Sequence, residues 1–398
     1  MENETFAGVM TGKGTGAIAT VQVCGKNAES IIKTVFKSVS TKPLRFEVGQ
    51  ILLGTIHDNS KIIDQVTIGY ERPYLFAIHC HGNPLIVEMI IQLLKKQGVQ
   101  IISDELIQKK ILSKHEQTNI IALEAKIAQV QSKTIEGTKI ILNQIDSGLS
   151  KVVREWLSDI NSLSLDLIKK QTDEILQNSS IAKLIISGCK TILTGPPNSG
   201  KSTLLNFLSG KQKSIVTDIS GTTRDWVTAQ CQIESLSLEL IDTAGLDDNL
   251  STISKSIDNA AQNKALELIN EADLILLVLD NSRDIEFNYS VFHNYKRKTI
   301  ITVLNKSDLP QKFNKSRLPD FLSNTIQISA KNQTGSEGLL SSIRQTLGLI
   351  NFNLHTPICF NDRQLSLLKK LKLLESKQRA ATIMNELLNN SKEICRCE

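Results

Sequence analysis

The sequence predicts a multidomain α/β protein: an N-terminal α+β domain, a discontinuous helical domain, and a doubly wound α/β domain inserted between the two helical segments. Three observations carry this. Up to about residue 114, short β-rich runs and glycine turns mix with one helical stretch. Two separated stretches carry apolar residues at helical spacing, and the stretch between them alternates strand and helix. The expected boundaries are 1–114, 115–188, 189–350 and 351–398. A chain of 398 residues suits that count at roughly 100–200 residues per domain.

In the first segment, Thr15–Val23 and Val66–Tyr70 read as β-rich and Leu85–Gln97 as a helix. In the second, Ile120, Leu123, Ile127 and Val130 fall at helical spacing, and Leu163, Leu167 and Ile168 continue the pattern. Leu365, Leu368, Leu371, Leu374, Ile383 and Leu387 repeat it after Asp362. One amphipathic helix cannot bury its own stripe, so the C-terminal helices are expected to pack on those of 115–188. The α/β segment predicts strands at Thr191–Leu193, Thr228–Ile233, Leu236–Ile241, Leu274–Leu279, Ile300–Leu304 and Ile326–Ser329. Its helices should start near Lys201, Ile257, Asn288 and Gly335.

Composition is that of an ordinary globular chain, with 40% apolar and 22% charged residues. The net charge of +5 is compatible with an RNA partner without requiring one. No apolar run approaches the ~18 residues of a membrane helix. The opening Met1-Glu-Asn-Glu is acidic rather than a basic signal flank, so the expected location is the cytoplasm, with no membrane partner. Seven scattered cysteines contain no Cys-x-x-Cys pair, which signals neither a disulfide framework nor a zinc site. His79-Cys80-His81 has no further ligand cluster nearby and reads as the end of a strand before Gly82.

The chemistry lies in the α/β segment. Gly195-Pro-Pro-Asn198-Ser199-Gly200-Lys201-Ser202 fits the pattern of a phosphate-binding loop, after a strand and before a helix that continues through Thr203. Its glycines let backbone N–H groups close on phosphates. Lys201 is expected at the β- and γ-phosphates and Ser202 at Mg²⁺. Asp242, Thr243, Ala244 and Gly245 follow a strand and are placed to sense Mg²⁺ and the γ-phosphate. Asn305, Lys306, Ser307 and Asp308 close another strand. The Asp308 carboxylate accepts from the guanine N1–H and 2-amino group, a donor pair that adenine lacks. Ser329, Ala330 and Lys331 end the last strand and support the base from its other side. This set predicts a Ras-like P-loop G domain that binds and hydrolyses GTP.

Thr217, Asp218, Ile219, Ser220, Gly221, Thr222 and Thr223 lie where such a domain places its first switch, with Thr223 as the second Mg²⁺ ligand. Leu246 stands where a water-orienting glutamine is common, so hydrolysis needs another charge stabiliser. Asn198, with the backbone carbonyls of Thr217 and Ile219, offers oxygens for a monovalent cation beside the phosphates. An arginine finger from a partner is the alternative.

These motifs, with Gly14-Thr-Gly-Ala-Ile-Ala-Thr-Val-Gln-Val-Cys-Gly25 and Ile78-His-Cys-His-Gly-Asn-Pro84, resemble the MnmE/TrmE family of tRNA-modification GTPases over nearly the whole chain. The resemblance implies K⁺-stimulated GTP hydrolysis coupled to dimerisation of the G domains. It implies a homodimer joined through a folate-binding N-terminal domain. It also implies a heterotetramer with an FAD-dependent MnmG/GidA-type subunit, which installs a C5 substituent on the wobble uridine of tRNA with a one-carbon unit from a folate derivative. The K⁺ ligands would be Asn198, Thr217, Ile219 and Thr222, and the Mg²⁺ ligands Ser202 and Thr223. The catalytic acid of the family maps to Asp258, one carbon shorter than the usual glutamate. The folate-site arginine is matched by Gln22, its glutamate by Ala77, and its lysine falls near His115 or Gln117. Among nearby acids, Glu71 and Glu88 are expected to be wrongly placed to replace the missing one, so folate binding is expected to be weak or absent. The family's Cys-Ile-Gly-Lys ending is not matched by Cys395-Arg-Cys-Glu398. A second reading follows from these departures: a degenerate relative that keeps GTP switching and serves RNA or assembly. A ribosome-assembly GTPase would want a second G domain or an RNA-binding KH domain, and neither is present.

Overall fold

The structure is a computed structural model. It describes residues 4–12, 14–40, 43–104, 106–107, 119–210, 227–242, 267–284, 292, 295 and 297–389. Contacts divide the chain into two compact units, one drawn largely from residues before 119 and one spanning 119–389.

In the first unit, β1 (Phe6–Val9), β2 (Ile18–Cys24), β3 (Phe36–Ser38), β4 (Ile51–Asp58), β5 (Lys61–Arg72), β6 (Leu75–His81) and β7 (Gln100–Ile101) form one sheet in the order β3-β4-β5-β6-β2-β1-β7. The β1–β7 pair is parallel and the other pairs are antiparallel. Strand alternation sets the two faces. Ala19, Val21 and Val23 of β2 are buried with Ile68, Phe76 and Ile78, against Ile32 of α1 (Ala28–Val35) and Ile90 and Leu94 of α2 (Pro84–Lys96). Thr20, Gln22 and His79 lie on the other face. The expected helix at Leu85–Gln97 is α2, started by Pro84 and by the Asn83 side chain, which accepts from Leu85 N–H at 2.9 Å.

The second unit holds two layers of sequence logic in one body. Four helices come first: α3 (Ile120–Gln129), α4 (Ile135–Asp146), α5 (Leu149–Ser158) and α6 (Leu165–Ser187). Asn119, Thr134 and Ser164 cap three of them through side-chain oxygens. A sheet of β8 (Cys189–Thr194), β9 (Val227–Ile233), β10 (Leu236–Asp242), β11 (Leu274–Asp280), β12 (Thr299–Asn305) and β13 (Thr325–Gln327) follows, in the order β13-β12-β11-β8-β10-β9. All pairs are parallel except β9 with β10. Strands covered on both faces need continuous apolar runs, and every residue of β11 is buried. Helices α7 (Lys201–Gly210) and α8 (Ser336–Thr346) belong to this α/β segment. α9 (Asp362–Lys372) and α10 (Lys377–Asn389) then return to the helical layer, where Leu367, Leu368, Leu371, Met384 and Leu387 share a core with Ile121, Val153, Trp156, Ile168 and Ile175. The expected packing of the C-terminal helices on the earlier ones is thus present.

Three expectations need correction. Val130 lies one residue past the end of α3 and is 61% exposed. Leu167, in the first turn of α6, is also exposed; the buried stripe runs Ile168, Thr172, Ile175, Ser179, Ala182, Ile186, and Leu167 sits about 100° off it. The last strand stops at Gln327 rather than Ser329. Ser329 N–H and C=O instead pair with Thr334 at 3.1 Å each, closing a tight turn before α8. The expected helix starts at Ile257 and Asn288 lie outside the described residues.

Candidate active site

The site forms where β8, β10, β11 and β12 end. After β8 the chain turns through Gly195 (φ +144°), Asn198 (φ +60°) and Gly200 (φ +96°) into α7. Two of these positions admit only glycine. A Cβ on Gly195 would lie 2.1 Å from the Val278 carbonyl oxygen, and one on Gly200 would lie 2.2 Å from Asn305 Nδ2. The loop therefore presses against β11 on one side and the start of the Asn305–Asp308 segment on the other.

Lys201 is buried, and its Nζ donates to the Gly195 and Pro196 carbonyls at 2.9 and 3.1 Å. Such a curled lysine holds its ammonium inside the loop, where a polyphosphate would sit. Ser199 Oγ is fully buried with no hydrogen-bond partner. An orphaned hydroxyl in the loop is expensive unless a ligand completes it. Ser202 Oγ donates to Asp242 Oδ2 at 2.6 Å, so a hydroxyl and a buried carboxylate converge as a divalent cation between phosphates requires. Thr203 follows on the first turn of α7, exposed.

The second half is built on Asn305, which ends β12. Its Nδ2 donates to Ser199 C=O at 2.9 Å, and its Oδ1 accepts from Lys306 N–H at 2.8 Å and Ala330 N–H at 3.0 Å. One buried amide thus ties three predicted segments together. Lys306 Nζ donates to Asn198 C=O at 2.7 Å. Ser307 N–H donates to Ile328 C=O at 3.0 Å. Asp308 is exposed, and its Oδ1 accepts from Ser329 Oγ at 2.5 Å. That hydrogen bond, then one from the backbone and the nearby lysines Lys331 and Lys306, outweigh partial desolvation and hold the Asp308 carboxyl below its ordinary range. Asp308 is therefore an anion facing open space, held in one orientation and ready to accept.

The structure thus gathers Asn198 to Ser202, Asp242, Asn305 to Asp308 and Ser329 to Lys331. Thr217 to Thr223, Thr243 to Gly245, Leu246, Asp258, His115 and Gln117 lie outside the described residues, so of the expected metal ligands only Asn198 and Ser202 are placed. Sequence reasoning missed Asp280, buried at the end of β11, which accepts from Lys306 Nζ at 2.6 Å. The signal was an acid closing an apolar run at a strand end.

On the open face of the first unit's sheet, Gln22 and Ala77 are direct cross-strand partners. Glu71 lies beside Gln22, whose Nε2 is 3.3 Å from both its carboxylate oxygens. Ala77 and Gly69 occupy the row beside Gln22, and their small size lets it reach β5. Glu88 sits on α2, where Gln92 is its partner. His79 Nδ1 meets Thr20 Oγ1 at 3.0 Å, and His81 Nδ1 meets Asp64 Oδ1 at 2.7 Å. Burial, with the Asp64 charge adding, pushes the Cys80 thiol up to about 11. No cluster of three metal-ligating side chains occurs among the described residues.

A glycine-bounded phosphate loop, a Ser–Asp pair and an Asn-Lys-x-Asp loop on one mostly parallel sheet define a P-loop GTPase domain. Comparison with known families agrees. The family described as "50S ribosome-binding GTPase" matches residues 190–306, and "GTP-binding protein TrmE N-terminus" matches residues 5–104. The tRNA modification GTPase MnmE of Clostridioides difficile is 30% identical over 378 residues, covering 86% of this chain and 81% of that protein. That of Enterococcus faecalis is 29% identical over 381 residues, covering 86% and 81%. That of Ligilactobacillus salivarius is 27% identical over 409 residues, covering 93% and 86%. This chain belongs to the MnmE family of tRNA modification GTPases.

Proposed function

We propose that the chain couples GTP hydrolysis to installation of a C5 substituent on the wobble uridine of tRNA, as a homodimer working with an FAD-dependent MnmG-type subunit. The observation that carries this is the convergence of the phosphate loop, Asp242 and the Asn305–Asp308 loop in the same chain as the family's N-terminal module over residues 5–104. Within it, Lys201 neutralises the β- and γ-phosphates, Ser202 and Thr223 hold Mg²⁺, and Asp308 reads guanine. Mg²⁺, when bound, offsets charge between the two phosphates. Asn198, Thr217, Ile219 and Thr222 hold K⁺, which takes the place of an arginine finger, and Asp258 positions the attacking water. The test is nucleoside mass analysis of tRNA with and without the gene. Loss of the C5-modified wobble nucleoside on deletion supports the proposal, and an unchanged profile overturns it.

Potassium use has its own test. Replacing K⁺ by Na⁺ at equal ionic strength should slow hydrolysis at least about tenfold, since charge stabilisation at the β–γ bridge acts in the transition state. Asn198→Ala should erase the difference. Equal wild-type rates in the two salts would count against the assignment.

The second reading is a relative that switches on GTP without using folate. The neutral Gln22 and Ala77 favour it. Glu71 beside Gln22 weakens it, because it supplies an acid on the same sheet face.

A further inference from the structure

Asp280 closes β11 with only 2% of its surface exposed. A carboxylate buried this far is costly unless both oxygens are satisfied. Here both are: Oδ1 accepts from Ser282 N–H at 2.9 Å and Ser282 Oγ at 2.6 Å, and Oδ2 accepts from Lys306 Nζ at 2.6 Å. Arg283 Nε adds a longer contact at 3.7 Å. Burial pushes the carboxyl up, but the hydrogen bonds from Lys306 and Ser282 outweigh it and hold it below its ordinary range. The group is thus an anion throughout neutral pH.

Strand register makes this pairing. Asp280 is the partner of Asn305 in the parallel β11–β12 ladder, so Lys306 begins one residue beyond it. Lys306 has φ +62°, and its ammonium also donates to Asn198 C=O of the phosphate loop. The residue after Asp280 fastens the rest of the segment. Asn281 N–H donates to Asn305 C=O at 2.9 Å, and Asn281 C=O accepts from Lys312 and Phe313 N–H at 3.0 and 3.2 Å. A free lysine side chain has four rotatable bonds and would lose that freedom only when nucleotide arrives. Anchored at both ends of its ammonium, it is already ordered.

We propose that Asp280 is a positioning residue for nucleotide retention: by holding Lys306 against the phosphate loop, it preassembles the base loop and the phosphate loop as one frame for guanine nucleotide. The proposal rests on reading Asn305 to Asp308 as the base loop. Preorganisation of this kind acts mainly by slowing release.

The test is stopped-flow release of a fluorescent GDP from the full chain, for wild type, Asp280→Asn, Lys306→Ala and the double variant. Asp280→Asn keeps the shape and removes the charge, and should speed release about tenfold. Lys306→Ala should speed it at least as much. The double variant should release no faster than Lys306→Ala alone, because Asp280 acts through that amine. A purely structural carboxylate would instead give effects that multiply, and that result overturns the proposal. So does wild-type release from Asp280→Asn while Lys306→Ala is fast. If Lys306→Ala itself releases at the wild-type rate, the base-loop reading falls first and takes the proposal with it. Should Asp280→Asn fail to fold, Ser282→Ala loosens the same carboxylate. It should speed release about threefold in the wild-type background and not in Lys306→Ala; no effect in either background overturns the proposal.

Discussion

At the residue scale, Asp308 carries the proposed guanine selectivity. Ser329 orients one oxygen of an exposed carboxylate, leaving acceptors for a ligand edge with two adjacent donors. Asp308→Asn replaces acceptors by an amide and should lower GTP affinity at least about tenfold while raising that for xanthosine triphosphate. Competition binding reads this directly, and undiminished GTP binding would contradict the assignment. On the sheet face of the first unit, Gln22→Arg restores a cation beside Glu71. It should strengthen binding of 5-formyl-tetrahydrofolate about tenfold or more by calorimetry, one charged hydrogen bond being worth ~1.5–3 kcal/mol. An unchanged or weaker affinity would show that this face does not take the ligand. These two residues also mark the limit of sequence reading. Asp308 was legible because its role is set by its own four-residue run at a strand end. Glu71 and Asp280 were not, because each meets its partner through sheet pairing: Glu71 reaches Gln22 past a row of Ala77 and Gly69, and Asp280 meets Lys306 through the β11–β12 register.

At the scale of elements, Arg363 forms a polar clamp across the seam between the helical segments. Arg363, in the first turn of α9, makes two hydrogen bonds to Glu124 of α3 at 2.5 and 2.9 Å. Its remaining donors reach the Glu386 and Leu387 carbonyls near the end of α10 at 2.9 and 3.2 Å. Glu124 also accepts from Gln364 at 2.7 Å. Arg363→Ala would strand a largely buried carboxylate and two helix-end carbonyls, at a cost of about 2–4 kcal/mol. Trp156 sits in this core, with Nε1 donating to Gln171 Oε1 at 2.7 Å, so its fluorescence in a Trp226→Phe background reports unfolding of the layer. A midpoint in urea unchanged by Arg363→Ala would show that apolar packing alone holds the seam. The apolar stripe of α9 was readable from spacing, since Leu368 and Leu371 are buried as expected. The clamp was not, because nothing local pairs residue 363 with residue 124 across 239 positions of chain.

At the scale of the whole molecule, the order of segments was legible because each has its own period: mixed strand and helix, then helix alone, then alternating strand and helix, then helix. What periodicity did not convey is that the first helical segment and the α/β sheet share one continuous core, in which Ala125, Ile140, Ile141 and Ala182 pack with Cys189, Leu193, Leu238 and Leu276. The phosphate loop begins one residue past β8, whose Cys189 and Leu193 belong to that core. No helix among the described residues is long and apolar enough to cross a membrane. The central claim is that the nucleotide site drives tRNA modification, and it is tested by complementing a deletion strain with wild type and with Lys201→Ala. Mass analysis of tRNA nucleosides should show the C5-modified wobble uridine restored by the wild-type chain and absent with Lys201→Ala expressed at the same level. Full restoration by Lys201→Ala would contradict the account.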